Sequence, residues 1–207
     1  MTNAFAWGFT RKLIAIWPLF ALGSTSALLS ISGGPASPEL RYERVFLLEQ
    51  PWRLLTGHLV HLGSSHLLLN LAGLALIAWV FAPGLAALQW LWLLFVSVFA
   101  IDLGFWLLEP QLEWYVGLSG VLHGLLLGAA LLDDGLERRM RWFLVAVVVA
   151  KLLWEQWAGA LPFTAEAAGG PVVVAAHWYG GIGGVMAAVS WRAGRVLAAG
   201  GANRPVH

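Results

Sequence analysis

The sequence predicts an all-α membrane protein, a six-transmembrane-helix bundle with the N and C termini cytoplasmic. Three observations lead there. Of 207 residues, 59% are apolar and only 11% charged, whereas a soluble domain runs near about 45–50% apolar and about 25% charged. Six spans of about 20 residues consume about 120 residues, and 59% of 207 is about 122. Thirteen Trp stand against three Tyr, as suits rings that meet lipid and headgroups. Almost nothing remains for a soluble domain, so residues 1–207 read as one membrane domain. A net charge of +1 argues against nucleic acid as the main partner, which needs a concentrated basic face. With zero cysteines, no disulfide, thiolate nucleophile or cysteine-based metal site can form.

The expected spans, in order, cover residues 13–31, 62–82, 85–108, 114–132, 142–158 and 172–191. The first follows Arg11 and Lys12. Its opening, with the small-residue stretch Gly23 to Ala27, also fits a signal peptide, but the apolar run continues through Leu28, Leu29 and Ile31, so a span is expected. The long connection after it carries Gly33, Gly34, Pro35, Pro38 and Pro51. Lys and Arg set the orientation. Arg11, Lys12, Arg138, Arg139, Arg141, Arg192, Arg195 and Arg204 fall on one side, and only Arg41, Arg44 and Arg53 on the other. The positive-inside rule then puts both termini in the cytoplasm, and an even number of spans requires the same.

Polar groups inside spans are costly, so each is a candidate site. Ser119 lies about five residues into the fourth span, at roughly 7–8 Å depth at 1.5 Å per residue. His177 in the sixth span lies at the same level. His66 and Asn70, four apart on one face of the second span, bracket that layer. Asp102 and Glu155 approach it from the outer ends of the third and fifth spans. Glycines indicate which spans touch, because small-xxx-small stripes let membrane helices approach closely. Gly117, Gly120, Gly124 and Gly128 form such a stripe on the fourth span, and Gly180 and Gly184 on the sixth. Packing these stripes together brings Ser119 within reach of His177. A serine beside a histidine is the minimal arrangement for nucleophilic catalysis. The Ser119 backbone N–H, His66 and Asn70 are candidate oxyanion donors. No Asp or Glu stands out as a third member, so a Ser–His dyad is expected.

These residues resemble the rhomboid family of intramembrane serine proteases. Gly117-Leu118-Ser119-Gly120 with Gly124 is similar to its G-x-S-G-x-x-x-G motif, and His66 to Asn70 to its H-x-x-x-N. Trp52-Arg53 resembles its W-R element, and His177 with Gly180 and Gly184 its H-x-x-G-x-x-x-G. The run from Trp52 to His58, the run from Gly117 to Gly124, and Lys151-x-x-x-Glu155-Gln156 are similar to the rhombosortase subgroup. The resemblance implies Ser119 as nucleophile, His177 as base, and His66 and Asn70 as oxyanion donors. It implies membrane-anchored substrates bearing a C-terminal sorting helix with a Gly-Gly tail, and release with transfer to a lipid amine as one outcome. It implies the bacterial inner membrane, with the site opening to the periplasm. No cofactor and no metal are expected, since His58, His61 and His66 lack a motif such as H-E-x-x-H.

The remaining residues have plainer roles. Many rhomboids stack a Tyr on the histidine; the fifth span has none, leaving Trp154 or Trp157 for that place. His123 is expected to point along its own helix, and His58 and His61 to line a water-accessible mouth. Lys151 and Glu155, four apart, neutralise one another, while Asp102, Glu155 and Gln156 are candidates for recognising the tail or an acceptor amine. Trp52-Arg53 anchors the first loop. The competing functional class is a catalytically inactive rhomboid-like protein that binds membrane clients.

Overall fold

A computed structural model describes the backbone of residues 2–202 and the side chains of residues 14–199. Arg204 lies outside the described residues, as do the side chains of Arg11 and Lys12. The described chain is mostly helical. Its elements are α1 (Thr2–Gly33), β1 (Tyr42–Glu43), α2 (Arg53–Thr56), α3 (Ser64–Phe81), α4 (Ala87–Leu108), β2 (Trp114–Tyr115), α5 (Ser119–Leu132), α6 (Arg138–Ala158), α7 (Thr164–Ala168) and α8 (Val174–Ala202).

Among the described residues, three stretches are long and apolar enough to cross a membrane by themselves: Ile14–Gly33, Ser64–Phe81 and Ala87–Leu108. The others are less uniform for visible reasons. Helix α6 opens on Arg138, Arg139 and Arg141 and carries Lys151 and Glu155. Helix α8 is diluted by its glycines. Helix α5 is apolar apart from Ser119 and His123 but only 14 residues long. It is also the centre of the bundle, packed chiefly on α8 and α4. Leu118, Val121 and Leu125 are fully buried there, in one core with Trp90, Leu93, Ile101 and Phe105 of α4. Phe20, Ile31, Trp79, Phe95, Leu108 and Trp157 lie exposed on the outside, an apolar surface of the kind that lipid, not water, covers.

Three expected spans differ in extent: the first was expected over 13–31, yet α1 runs from Thr2 to Gly33. The fourth was expected over 114–132, yet Trp114–Tyr115 is a strand and the helix begins at Ser119. The strand pairs antiparallel with β1, Tyr42 opposite Tyr115 and Glu43 opposite Trp114. Gly117 then takes φ +125, a conformation that L side chains rarely adopt, and its N–H donates to the Gly57 carbonyl. Long-range pairing thus overrides the local apolar run and moves Ser119 from about five residues inside the span to the first helical position. The sixth helix runs past its expected end at 191, to Ala202.

The loop before α3 is held by one buried cation. Arg53 donates to the Pro38 carbonyl at 2.7 Å, the Arg41 carbonyl at 2.9 Å and Gln50 Oε1 at 2.6 Å. It also lies 3.8 Å from Glu43 and packs over the Phe46 ring. Arg53→Met leaves these acceptors without a partner, at a cost of about 3 kcal/mol. We expect its thermal midpoint, read from tryptophan fluorescence in detergent, to fall by about 5–10 °C. An unchanged midpoint would show that Arg53 does not hold the loop.

Candidate active site

The glycine seam builds the site. A Cβ on Gly180 would overlap the Gly120 carbonyl, and one on Gly184 the Gly124 carbonyl. In return, a Cβ on Gly124 would lie 2.6 Å from the Gly180 carbonyl oxygen and one on Gly128 2.9 Å from that of Gly184. Helices α5 and α8 therefore touch backbone to backbone. Gly117 is not part of this stripe, because it sits in the preceding loop, where a Cβ would meet the His66 ring.

The seam carries Ser119 and His177 on its upper end. Ser119 Oγ lies 2.8 Å from His177 Nε2, with His177 buried and Ser119 partly accessible. On the other side of the same imidazole, Glu155 Oε2 lies 2.9 Å from His177 Nδ1. Glu155 is only 2% exposed. It reaches the site because Leu152, one turn before it on α6, lies over Gly181, one turn after His177 on α8. A third group thus stands in line with the two of the expected dyad. Spacing did not reveal it, since nothing in a single sequence gives the rotation of α6 about its axis.

Two further groups close around this row. The His123 ring stacks on His177 at 4.3 Å and 26°, and its Nδ1 lies 2.7 Å from the Ser119 carbonyl oxygen. Lys151 Nζ lies 2.7 Å from His123 Nε2, 2.7 Å from Glu155 Oε2 and 3.1 Å from His177 Nδ1. His123 was expected to point along its helix; it instead takes the stacking place expected for Trp154 or Trp157, both of which are exposed. A histidine one turn after Ser119 was a usable signal for this, because i and i+4 share a helix face.

Across the site, His66 faces Gly117. The Leu62 N–H approaches His66 Nδ1 at 3.4 Å, which makes Nδ1 the acceptor and leaves Nε2 as the protonated, donating nitrogen. Asn70, one turn further on, is buried and donates from Nδ2 to the His66 carbonyl at 3.0 Å. Asp102 is engaged by His58, Nε2 to Oδ1 at 3.2 Å, and Gln156 is exposed. Of the three residues considered for recognition, only Glu155 therefore joins Ser119 and His177, and it does so against the imidazole. His58 and His61 do not line a mouth: they are 2% and 1% exposed. His61 pairs with Ser30 Oγ at 3.0 Å and meets the His66 ring edge-on. Burial, with His66 beside it, pulls the His61 imidazole down to about 3, so it stays neutral.

Apolar helices wrapped around a buried polar cluster mark a multi-pass membrane protein. Residues 48–193 match the Rhomboid domain, and the chain belongs to the rhomboid family, whose members are intramembrane serine proteases acting on membrane proteins. No curated protein and no solved structure matches the chain.

Proposed function

We propose that this chain is an active, rhombosortase-like protease with six spans and cytoplasmic termini, its site opening to the periplasmic side of the bacterial inner membrane. The observation that carries this reading is the 2.8 Å approach of Ser119 Oγ to His177 Nε2 across a glycine-rich seam. Five helices after α1 supply the bundle: α3, α4, α5, α6 and α8. The 14 residues of α5 rise about 21 Å, short of the about 30 Å of a hydrocarbon core. Ser119 at its outer end then lies below the membrane surface. The non-helical backbone above it is tolerable there because Tyr115, Val116, Gly117 and Leu118 are buried in protein.

The chemistry follows from the geometry. Ser119 donates its hydroxyl proton to His177 Nε2 and attacks the substrate carbonyl, and the carbonyl oxygen becomes an oxyanion. Ser119 is the first residue of α5, so its N–H has no helical acceptor and points where that charge develops. His66 Nε2–H and the free Asn70 amide hydrogen supply further donors. His177 then protonates the leaving amine, and the acyl-enzyme on Ser119 is resolved by water or by an amine. An open cavity of about 280 Å³ is lined by Leu62, Glu113, Trp114, Val116, Pro171 and Val173, from the segments that lead into α5 and α8, and offers a place for a substrate segment.

The subgroup resemblance supports a substrate with a membrane-anchored sorting tail of Gly-Gly type, and a lipid amine as one acceptor. The test is mass spectrometry on a fusion protein carrying such a tail, co-expressed with this protein in a Gram-negative host. A new C-terminus at the tail that is absent with Ser119→Ala supports the reading. A free carboxylate there means hydrolysis, and an added amine-linked mass means transfer. An uncut tail, alongside cleavage of a tail-less transmembrane substrate, would leave a general rhomboid protease in its place.

A further inference from the structure

Beyond the Ser119–His177 pair, the contacts form a ring that returns to its starting residue. The Ser119 carbonyl can only accept, so His123 Nδ1, 2.7 Å away, carries a hydrogen. Neutral His123 then accepts at Nε2 from Lys151 Nζ, 2.7 Å away. Lys151 also donates to Glu155 Oε2 at 2.7 Å. The same carboxylate oxygen accepts from His177 Nδ1–H at 2.9 Å, which leaves His177 Nε2 to accept the Ser119 hydroxyl at 2.8 Å. The opposite assignment, Lys151 donating to His177 Nδ1, fails twice. It points a nitrogen lone pair at the carboxylate, and it puts a hydrogen on Nε2, where a general base must have none.

From this ring we infer that Glu155 is a positioning residue for His177, held in place by Lys151 and His123, so that the site works as a tethered Ser–His–Glu row. The inference rests on Ser119 being the nucleophile. Two physical points support it. A carboxylate that is only 2% exposed inside an apolar bundle is expensive unless paired, and Lys151 balances it so that the resting ring is neutral. When Ser119 attacks, its proton turns His177 into an imidazolium while the carbonyl oxygen turns into an oxyanion. The new cation then lies against the Glu155 carboxylate, with Nδ1–H kept on Oε2. His123, stacked over the same ring, limits its tilt. Facing His177 are thus Glu155 and Lys151 from α6, and Ser119 and His123 from α5.

The experiment is the rate of labelling by a fluorophosphonate on the detergent-purified protein, resolved into a maximal rate and a half-saturating probe concentration. Glu155→Gln is expected to lower the maximal rate by about 10²–10⁴-fold and to leave half-saturation unchanged. Glu155→Asp should regain about tenfold or more over Gln, because it restores the charge. Removing both charges with Lys151→Met and Glu155→Gln should keep the fold while leaving labelling slow. Glu155→Gln labelling at the wild-type rate overturns the inference and leaves the Ser119 reading intact. Losses that track the folded fraction in both variants also overturn it, in favour of a purely structural ion pair. Wild-type protein that is folded and unlabelled would instead overturn the Ser119 reading.

Discussion

Replacing Ser119 by alanine will abolish fluorophosphonate labelling, and His177→Ala will reduce it by up to about 10⁶-fold, to background. The two losses are expected to be similar in size because the groups act as one unit. Ser119 Oγ is a weak nucleophile until Nε2 takes its proton, and among the described residues it is the one hydroxyl bonded to His177. Both side chains sit at the end of a seam that other residues build, so neither change should unfold the protein. Thermal midpoints within a few degrees of wild type would check this. Labelling that persists in Ser119→Ala would mean that another hydroxyl is activated and that the proposed site is wrong. Labelling that survives His177→Ala but disappears in His123→Ala would move the base to the ring stacked above it.

Gly180→Val is expected to be the most damaging single change outside the polar cluster. Its side chain would meet the backbone carbonyl of Gly120, which cannot rotate away as a side chain could. Helix α8 would have to lift from α5, opening the contact that holds His177 against Ser119. Overpacking of this kind costs about 3 kcal/mol or more. Labelling should be lost together with a lowered thermal midpoint, whereas Gly194→Val, also on α8 but with open space around it, should match wild type in both. If Gly180→Val labels normally, the close approach of α5 and α8 is not what aligns the pair.

Gly180 differs from Gly194 in the sequence itself, because Gly180 has a second glycine, Gly184, four residues on and Gly194 does not. Small residues at i and i+4 leave a groove wherever they lie, so the spacing of Gly120, Gly124, Gly180 and Gly184 already pointed to contact between two helices far apart in sequence. Hydropathy is likewise a sum of single-residue transfer energies, so composition and the lengths of apolar runs suffice to assign a membrane protein of helices. The motif around Ser119, the H-x-x-x-N at His66 and the histidine before Gly180 carry the family resemblance on their own. Each of these is a local property or a periodicity along one helix.

What escaped the sequence depends on how elements are rotated and paired. The start of α5 moved to Ser119 because Gly117 is tied to Gly57 and Tyr115 to Tyr42, partners far along the chain. His58 was buried, not exposed to water, because Asp102, 44 residues on, reaches it. Glu155 meets His177 rather than only Lys151 because Leu152 settles over Gly181 and turns that face of α6 inward. A helix tells which of its residues share a face; only packing against its neighbours, an energy summed over many distant contacts, tells which way that face turns.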